Sequence, residues 1–349
     1  MLNNLKELCR LNGASGDEGA VRAFIIDKIK DNADYSVDSM GNIIAFKKGR
    51  EVPKNKIMLD AHMDEVGFII TSVQSDGALT FSEVGGIDPT VVIGRQVTVG
   101  SKGLIGVVGA KAVHNLSAEE RDKTPEMDSL YIDIGAADRK EAEKYAAPGD
   151  YAYFVSEYAE LGDDIIKSKA IDDRFGCALL IDMINSELPY DLYFTFTVQE
   201  EIGLRGAKTA AYTVNPDIAI AVETTTAADI DGISENKQVC RLGKGAVVSF
   251  MDRSTMYDRD LYNAAVEQAE KKGIPWQTKS LIAGGNNSGA IHTSRGGVKT
   301  IAVSAPCRYL HSPSCIANKK DLKACADIIY AIVEKAAEME HMIRLIENP

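Results

Sequence analysis

The chain has 349 residues, with 39 Lys and Arg against 51 Asp and Glu and a formal net charge of −12. That length suits two domains at about 100–200 residues each, and the acidic balance excludes the basic footprint of a nucleic-acid partner. With 45% hydrophobic and 26% charged residues the composition is that of a folded globular protein, and no apolar run reaches the ~20 residues of a membrane helix, so no membrane partner is expected.

The first elements are helical. Leu2, Leu5, Leu8 and Cys9 fall at helical spacing, and Asn12-Gly13 supplies a stop. Ser15-Gly16-Asp17 offers an N-cap for a second helix running to about residue 30. A turn at 39–42 leads into a strand at 43–46, and the short apolar run at 56–61 reads as a buried strand. The start of the chain has no continuous apolar segment of a secretory signal. The six cysteines form no C-x-x-C pair and read as thiols of a reducing compartment, which makes the cytoplasm the expected location.

After about residue 66 the pattern changes. Short β-like runs at 67–73, 78–84, 96–99, 104–108, 130–134 and 151–155 alternate with glycines, and Ser75-Asp76-Gly77 marks a hairpin. Six short strands with little helix predict a small barrel or sandwich. The charged stretch between His114 and Asp128 reads as a solvated loop. From about residue 162, strands at 192–198, 217–222 and 298–304 alternate with helices at 173–187, 206–212, 258–272 and 321–346. The predicted fold is therefore α/β, a mixed sheet with helices on both faces, interrupted by a small β-barrel-like insert. The domains expected are 1–66 with 162–349, and 67–161.

Sites in open α/β sheets gather at the carboxyl ends of strands. His62 follows one apolar run, Gln199-Glu200-Glu201 another and Glu223 a third. His311 lies in the loop after a fourth, and Asp172-Asp173 stands just before a helix. Each alone has an ordinary structural reading, such as an N-cap or a solvated acid. Together they place two of only five histidines, with several acids, on one sheet edge. Imidazole and carboxylate donors suit Zn, Co or Mn, and two such ions can share a bridging carboxylate. Residues i and i+2 of extended chain face the same way, so Asp64 can orient the His62 ring. H-E-x-x-H, G-x-S-x-G, Walker A and G-x-G-x-x-G motifs are absent.

The strings Ala61-His62-Met63-Asp64-Glu65-Val66-Gly67-Phe68, Ile171-Asp172-Asp173-Arg174, Gln199-Glu200-Glu201-Ile202-Gly203, Gly284-Gly285 and Arg308-Tyr309-Leu310-His311-Ser312-Pro313 resemble those of the M42 family of metallo-aminopeptidases. That family includes glutamyl aminopeptidases and tetrahedral particles, and some members carry an older endoglucanase label. The resemblance spans nearly the whole chain. It implies two divalent metal ions per subunit, zinc or cobalt. Asp172 would bridge them, His62 and Glu223 would complete one site, and Glu201 and His311 the other. Glu200 would be the general base and Asp64 the residue that orients His62. The resemblance further implies a cis peptide after Asp172, short peptides as substrates, and dimers that assemble through the β insert into a tetrahedral dodecamer. Two departures stand out. Family members mostly carry Asp where this chain has Glu223, and Gly-Gly-Thr-Asp where it has Gly284-Gly285-Asn286-Asn287.

Arg308, three residues before His311, either faces an acidic substrate side chain or serves a structural role. The same donor set would also serve a carboxypeptidase or an N-acyl amidohydrolase. A glycoside hydrolase needs two carboxyls across a sugar and no metal, and the single Trp is thin for a sugar-stacking groove. No role is assigned to His114, His292 or His341.

Overall fold

The computed structural model describes residues 1–340. Its centre is a mixed sheet of eleven strands. Four neighbouring strands run parallel in the order Leu192–Thr197, Ile57–His62, Ile218–Thr226 and Lys299–Arg308. Antiparallel strands extend both flanks, with Asp34–Val37 and Ile43–Lys47 on one side and Cys315–Asn318, Ile165–Ser168 and Ala159–Leu161 on the other.

Alternation along a strand assigns neighbouring residues to opposite faces. Ile57 and Leu59 pack with the helices Leu2–Leu8, Gly19–Ile29, Ile171–Ile184, Arg259–Lys272 and Lys319–Glu338. Met58 between them packs against Arg205–Val214 and Ser288–Ile291 instead. Helices thus cover both faces of the sheet, which is why the central strands are buried along nearly their whole length rather than alternating.

The six predicted β runs close into a separate antiparallel barrel. Its strands follow the order Gly67–Val73, Leu79–Val84, Tyr131–Asp133, Leu104–Gly109, Gln96–Val99 and Tyr151–Phe154. Phe68 fills the interior, its ring centroid 5.0 Å from both Phe81 and Phe154 in edge-on contact. The barrel therefore has its own apolar core, distinct from that of the large sheet. The segment after His114 is exposed and carries a one-turn helix, Ala118–Arg121, closed by a capping box between Ser117 and Glu120.

Several expected boundaries move. The helix Gly19–Ile29 has no side-chain cap. Ser15, Asp17 and Glu18 bond instead to Asp64, Tyr153 and Gln199, in contacts made across the fold. The strand expected to stop at 222 continues to Thr226, because Thr224–Thr226 keep pairing with Ala305–Cys307 of its neighbour. The last helix starts at Lys319, capped by Asn318, and ends at Glu338. The rest of the helix expected at 321–346, and His341, lie outside the described residues. All six cysteines are buried and none is in a disulfide.

Candidate metal centre

The parallel strands bring their carboxyl ends to one edge, and the acids and histidines singled out from the sequence converge there. His62 ends one strand. Glu200 and Glu201 begin the turn after Thr197. Glu223 lies within the strand Ile218–Thr226, not after it. Asp172 sits in the first turn of the helix Ile171–Ile184, where it and Asp173 depart from helical geometry around a cis peptide bond. His311 lies in the loop between Lys299–Arg308 and Cys315–Asn318, with φ +57°.

Asp172 stands between the two histidines. Its Oδ1 is 3.3 Å from His62 Nε2, and its Oδ2 is 3.5 Å from His311 Nε2. His311 Nε2 also lies 3.2 Å from Glu201 Oε2. On the other side, His62 Nε2 is 3.8 Å from Glu223 Oε2 and 4.0 Å from Glu200 Oε2. Two overlapping groups of donor atoms each span 4.8 Å or less: His62 with Asp172 and Glu201, and His62 with Asp173 and Glu223. Asp173 was not singled out as a ligand from the sequence, where it read as the second half of a helix-start pair. Its Oδ1 accepts the Gly176 N–H at 3.0 Å, and its Oδ2 is buried without a hydrogen-bond partner among the described residues.

Both rings are held from behind. His62 Nδ1 is 3.1 Å from the Asp64 carbonyl oxygen and 3.6 Å from the Asp64 carboxylate. The closer acceptor is thus the main chain of Asp64, and the expected carboxylate contact is the longer one. Asp64 itself is fully buried. Its carboxylate accepts the N–H groups of Glu200 and Glu201 at 3.0 and 3.1 Å and the Ser15 hydroxyl at 2.6 Å. His311 Nδ1 is 2.7 Å from the carbonyl of Gly86, in the barrel segment. In both cases Nδ1–H donates to the carbonyl and Nε2 is the nitrogen that faces the acids, open to a cation once it gives up its proton. Gly86 is invisible to motif reading, because the contact runs through a backbone carbonyl far away in the chain.

The electrostatics are those of acids crowded in a dry place. Burial pushes the Glu200 carboxyl up to about 8, with His62 opposing and Glu201, Asp172 and Asp64 reinforcing. Burial likewise drives Glu223 well above the usual carboxylate range, helped by Asp173. Burial would raise Asp172 too, but His311 and His62 hold it well below that range. Burial disfavours charge on His311, yet Asp172 and Glu201 push it up to about 11. Glu223 Oε1 is buried with no partner among the described residues. An unpartnered buried carboxylate oxygen is costly unless a proton or a cation meets it. The donor set, imidazole nitrogen and carboxylate oxygen without thiolate, fits a hard or borderline divalent ion. The residues therefore fit a metal.

The rest of the sequence reading divides. Gly284, Gly285 and Asn286 line a cavity of about 430 Å³ that opens onto the cluster. Asn287 turns inward instead, donating to Asp60 Oδ2 at 2.7 Å and Thr197 Oγ1 at 2.8 Å. Arg308 makes a two-pronged bond to Asp229, at 2.7 and 2.8 Å, and does not line the cavity. Its role is structural. His292 ends a short helix, and His114 lies in an exposed turn, both away from the cluster. Among the described residues no helix is long and apolar enough to cross a membrane.

Known proteins resemble this chain over most of its length. The family model for M42 glutamyl aminopeptidase matches residues 41–328. A provisionally named aminopeptidase of Acetivibrio thermocellus is 40% identical over 332 residues, covering 94% of this chain and 97% of its own. The lysyl aminopeptidase of Pyrococcus furiosus is 32% identical over 346 residues, covering 96% and 97%. Among solved structures, the TET1 peptidase of Pyrococcus horikoshii superposes with a TM-score of 0.83 at 38% identity, covering 95% of this chain and 98% of that one. That peptidase is described as assembling into a tetrahedron or a large octahedral shell.

Proposed function

The chain belongs to the M42 glutamyl aminopeptidase family, and we propose that it releases N-terminal residues from short peptides with two divalent ions, zinc or cobalt, and Glu200 as general base. The family is one of metal-dependent peptidases, and the number and identity of the ions belong to this proposal. The observation that carries it is Asp172, whose two oxygens face His62 and His311 separately at 3.3 and 3.5 Å.

In this reading His62 and Glu223 would hold one ion and Glu201 and His311 the other, with Asp172 shared between them. When bound, the ions supply Lewis acidity that polarises the scissile carbonyl and acidifies water. The chain's own residues do the rest. The Glu200 carboxylate takes a proton from the attacking water, keeps it on the carboxyl, and returns it to the nitrogen of the leaving amine. Glu200 suits both steps because burial has moved its carboxyl up to about 8, close to a neutral working pH. Asp64 keeps Glu200 and Glu201 in register through their N–H groups and supports the His62 ring. The Gly86 carbonyl keeps the His311 ring turned toward Asp172.

The domain division 1–66 with 162–349 against 67–161 is part of the same proposal, with the barrel unit as the dimerisation surface of a tetrahedral dodecamer. Its support is the assembly described for the TET1 peptidase of Pyrococcus horikoshii. A cytoplasmic location suits six buried unpaired thiols.

The test is one unmodified peptide, its N-acetylated twin and a chelator control, with products read by mass spectrometry. Stepwise loss from the free N-terminus alone, abolished by chelator, is expected. Loss from the C-terminus, or removal of the acetyl group, would overturn the reading in favour of a carboxypeptidase or an amidohydrolase.

A further inference from the structure

A groove of about 710 Å³ lies between the turn at 38–42, the helix Arg205–Val214 and the turn that follows Ser288–Ile291. It shares no lining residue with the cavity beside the acid cluster. Met40, Tyr212 and Ala290 supply its apolar lining, and its charged side chains are Lys208, Arg295 and Asp38. Asp38 is spent within its own turn. Its Oδ1 accepts the N–H groups of Met40, Gly41 and Asn42 at 2.9, 2.9 and 3.0 Å. Its Oδ2 accepts Asn42 Nδ2 at 2.7 Å and Thr209 Oγ1 at 3.2 Å.

Arg295 is held in place without an acid. Its φ is +50°, a left-handed conformation that costs a non-glycine residue, although Gly296 and Gly297 follow directly. Nε donates to the Tyr212 carbonyl at 2.7 Å, and the guanidinium carbon stands 3.9 Å from the centroid of the Tyr212 ring. Bond and stack together fix the plane of the guanidinium. Nε supplies one of its five N–H donors, and the others make no hydrogen bond or ion pair among the described residues. Lys208 stands four residues before Tyr212, so the two side chains leave the same face of the helix. Its ammonium also lacks a hydrogen bond or ion pair among the described residues, as do the hydroxyls of Ser39 and Ser294. The hydroxyls of Thr213 and Thr293, by contrast, are bonded to carbonyls of their own helices.

We propose that this groove is a binding site for a small phosphomonoester, its phosphate held by Arg295 and Lys208 and its apolar body laid over Met40, Tyr212 and Ala290. The donors select the head group. A fixed guanidinium fork, an ammonium and two free hydroxyls offer more hydrogen bonds than the two oxygens of a carboxylate take. They match the three oxygens and nearly double charge of a phosphate. The volume selects the rest, since pockets of about 300–1,000 Å³ take small molecules. A nucleic acid is disfavoured by the net charge of −12. The site stands independently of the N-terminal release proposed above.

The test is calorimetry of the metal-loaded full chain with phenyl phosphate, benzoate and inorganic phosphate, on the wild type, Arg295→Gln and Lys208→Met. Phenyl phosphate is expected to bind the wild type roughly tenfold or more tightly than either of the other two, and to lose roughly tenfold or more in each variant. Hydrogen exchange of the wild type, read by mass spectrometry, locates the ligand even if a variant folds poorly. Phenyl phosphate is expected to slow exchange over 205–214 and 292–297. Binding unchanged in both variants, or slowed exchange only around His62, Glu200 and His311, would put the phosphate on the acid cluster and overturn the inference. Benzoate binding as tightly as phenyl phosphate would overturn the choice of head group. Inorganic phosphate binding as tightly would overturn the part given to the apolar lining. No binding of phenyl phosphate at millimolar concentration would overturn the site itself.

Discussion

Asp64 accepts the backbone N–H of Glu200 at 3.0 Å, so the residue behind His62 also fixes the turn that carries the proposed base. Its second oxygen takes Glu201 N at 3.1 Å and the Ser15 hydroxyl at 2.6 Å. Both oxygens therefore work as acceptors in a fully buried position. Asp64→Asn keeps the shape but offers one acceptor oxygen, and whichever side becomes the amide faces an N–H. A buried donor left unsatisfied costs about 1–3 kcal/mol. We expect Asp64→Asn to melt lower and to lose roughly 10–100-fold in activity or metal affinity, the usual effect of removing an outer-shell partner. Thermal melting with a metal titration checks both, and an unchanged melt with unchanged affinity would contradict the account.

The metal-free protein should lose stability as pH rises. Glu200 titrates near 4.5 when unfolded and is pushed up to about 8 by burial in the fold. A raised folded value means that the fold holds a proton the unfolded chain has released, so the stabilisation is present below about pH 4.5 and gone above about 8. His311 acts in the same direction, from 6.5 to about 11. Melting of chelated protein is therefore expected to fall between pH 6 and pH 9. Metal ions have to displace protons from His62 and His311, so affinity should rise with pH, about tenfold per pH unit for each proton displaced. A melt of the chelated protein that rises over this range would contradict the assignment.

Arg308→Ala is expected to leave the ratio of glutamyl to glutaminyl turnover unchanged. The Arg308 side chain ties the loop of Asp229 to the strand Lys299–Arg308, and Asp229 in turn accepts Leu242 N at 3.0 Å. The pair is partly exposed, so its removal should cost about 1 kcal/mol of stability. Substrate profiling of the variant beside a denaturant melt checks this, and a changed glutamyl preference would return Arg308 to the site.

The elements legible in the sequence were those with a local pattern. The barrel strands were legible because glycines punctuate short alternating runs, as at Gly67–Val73 and Gln96–Val99. The strand ends bearing His62 and Glu200 were legible because a parallel strand buried on both faces is a continuous apolar run. The edge strand Asp34–Val37 was not, since every residue in it is exposed and no apolar face marks it. Ala246–Val248 and Trp276–Thr278 have three residues each, too short for a period to register. The residues missed in the site were missed for a related reason. Ser15 and Gly86 reach it from distant segments, through a hydroxyl and a carbonyl that belong to no motif. Asp173 was in view beside Asp172, but only the geometry of that turn separates their directions.

His62 appears in both groups of donor atoms, whereas His311 Nε2 faces Asp172 and Glu201. The account's central claim is this division of labour, with His62 holding metal and Glu200 moving protons. The most direct test is elemental analysis and turnover on Glu200→Gln beside His62→Ala. Glu200→Gln should retain the wild-type metal content while losing about 10²–10⁴-fold in turnover, the usual range for a general base. His62→Ala should lose the metal itself. Equal metal loss in the two variants, or near-normal turnover in Glu200→Gln, would contradict the account.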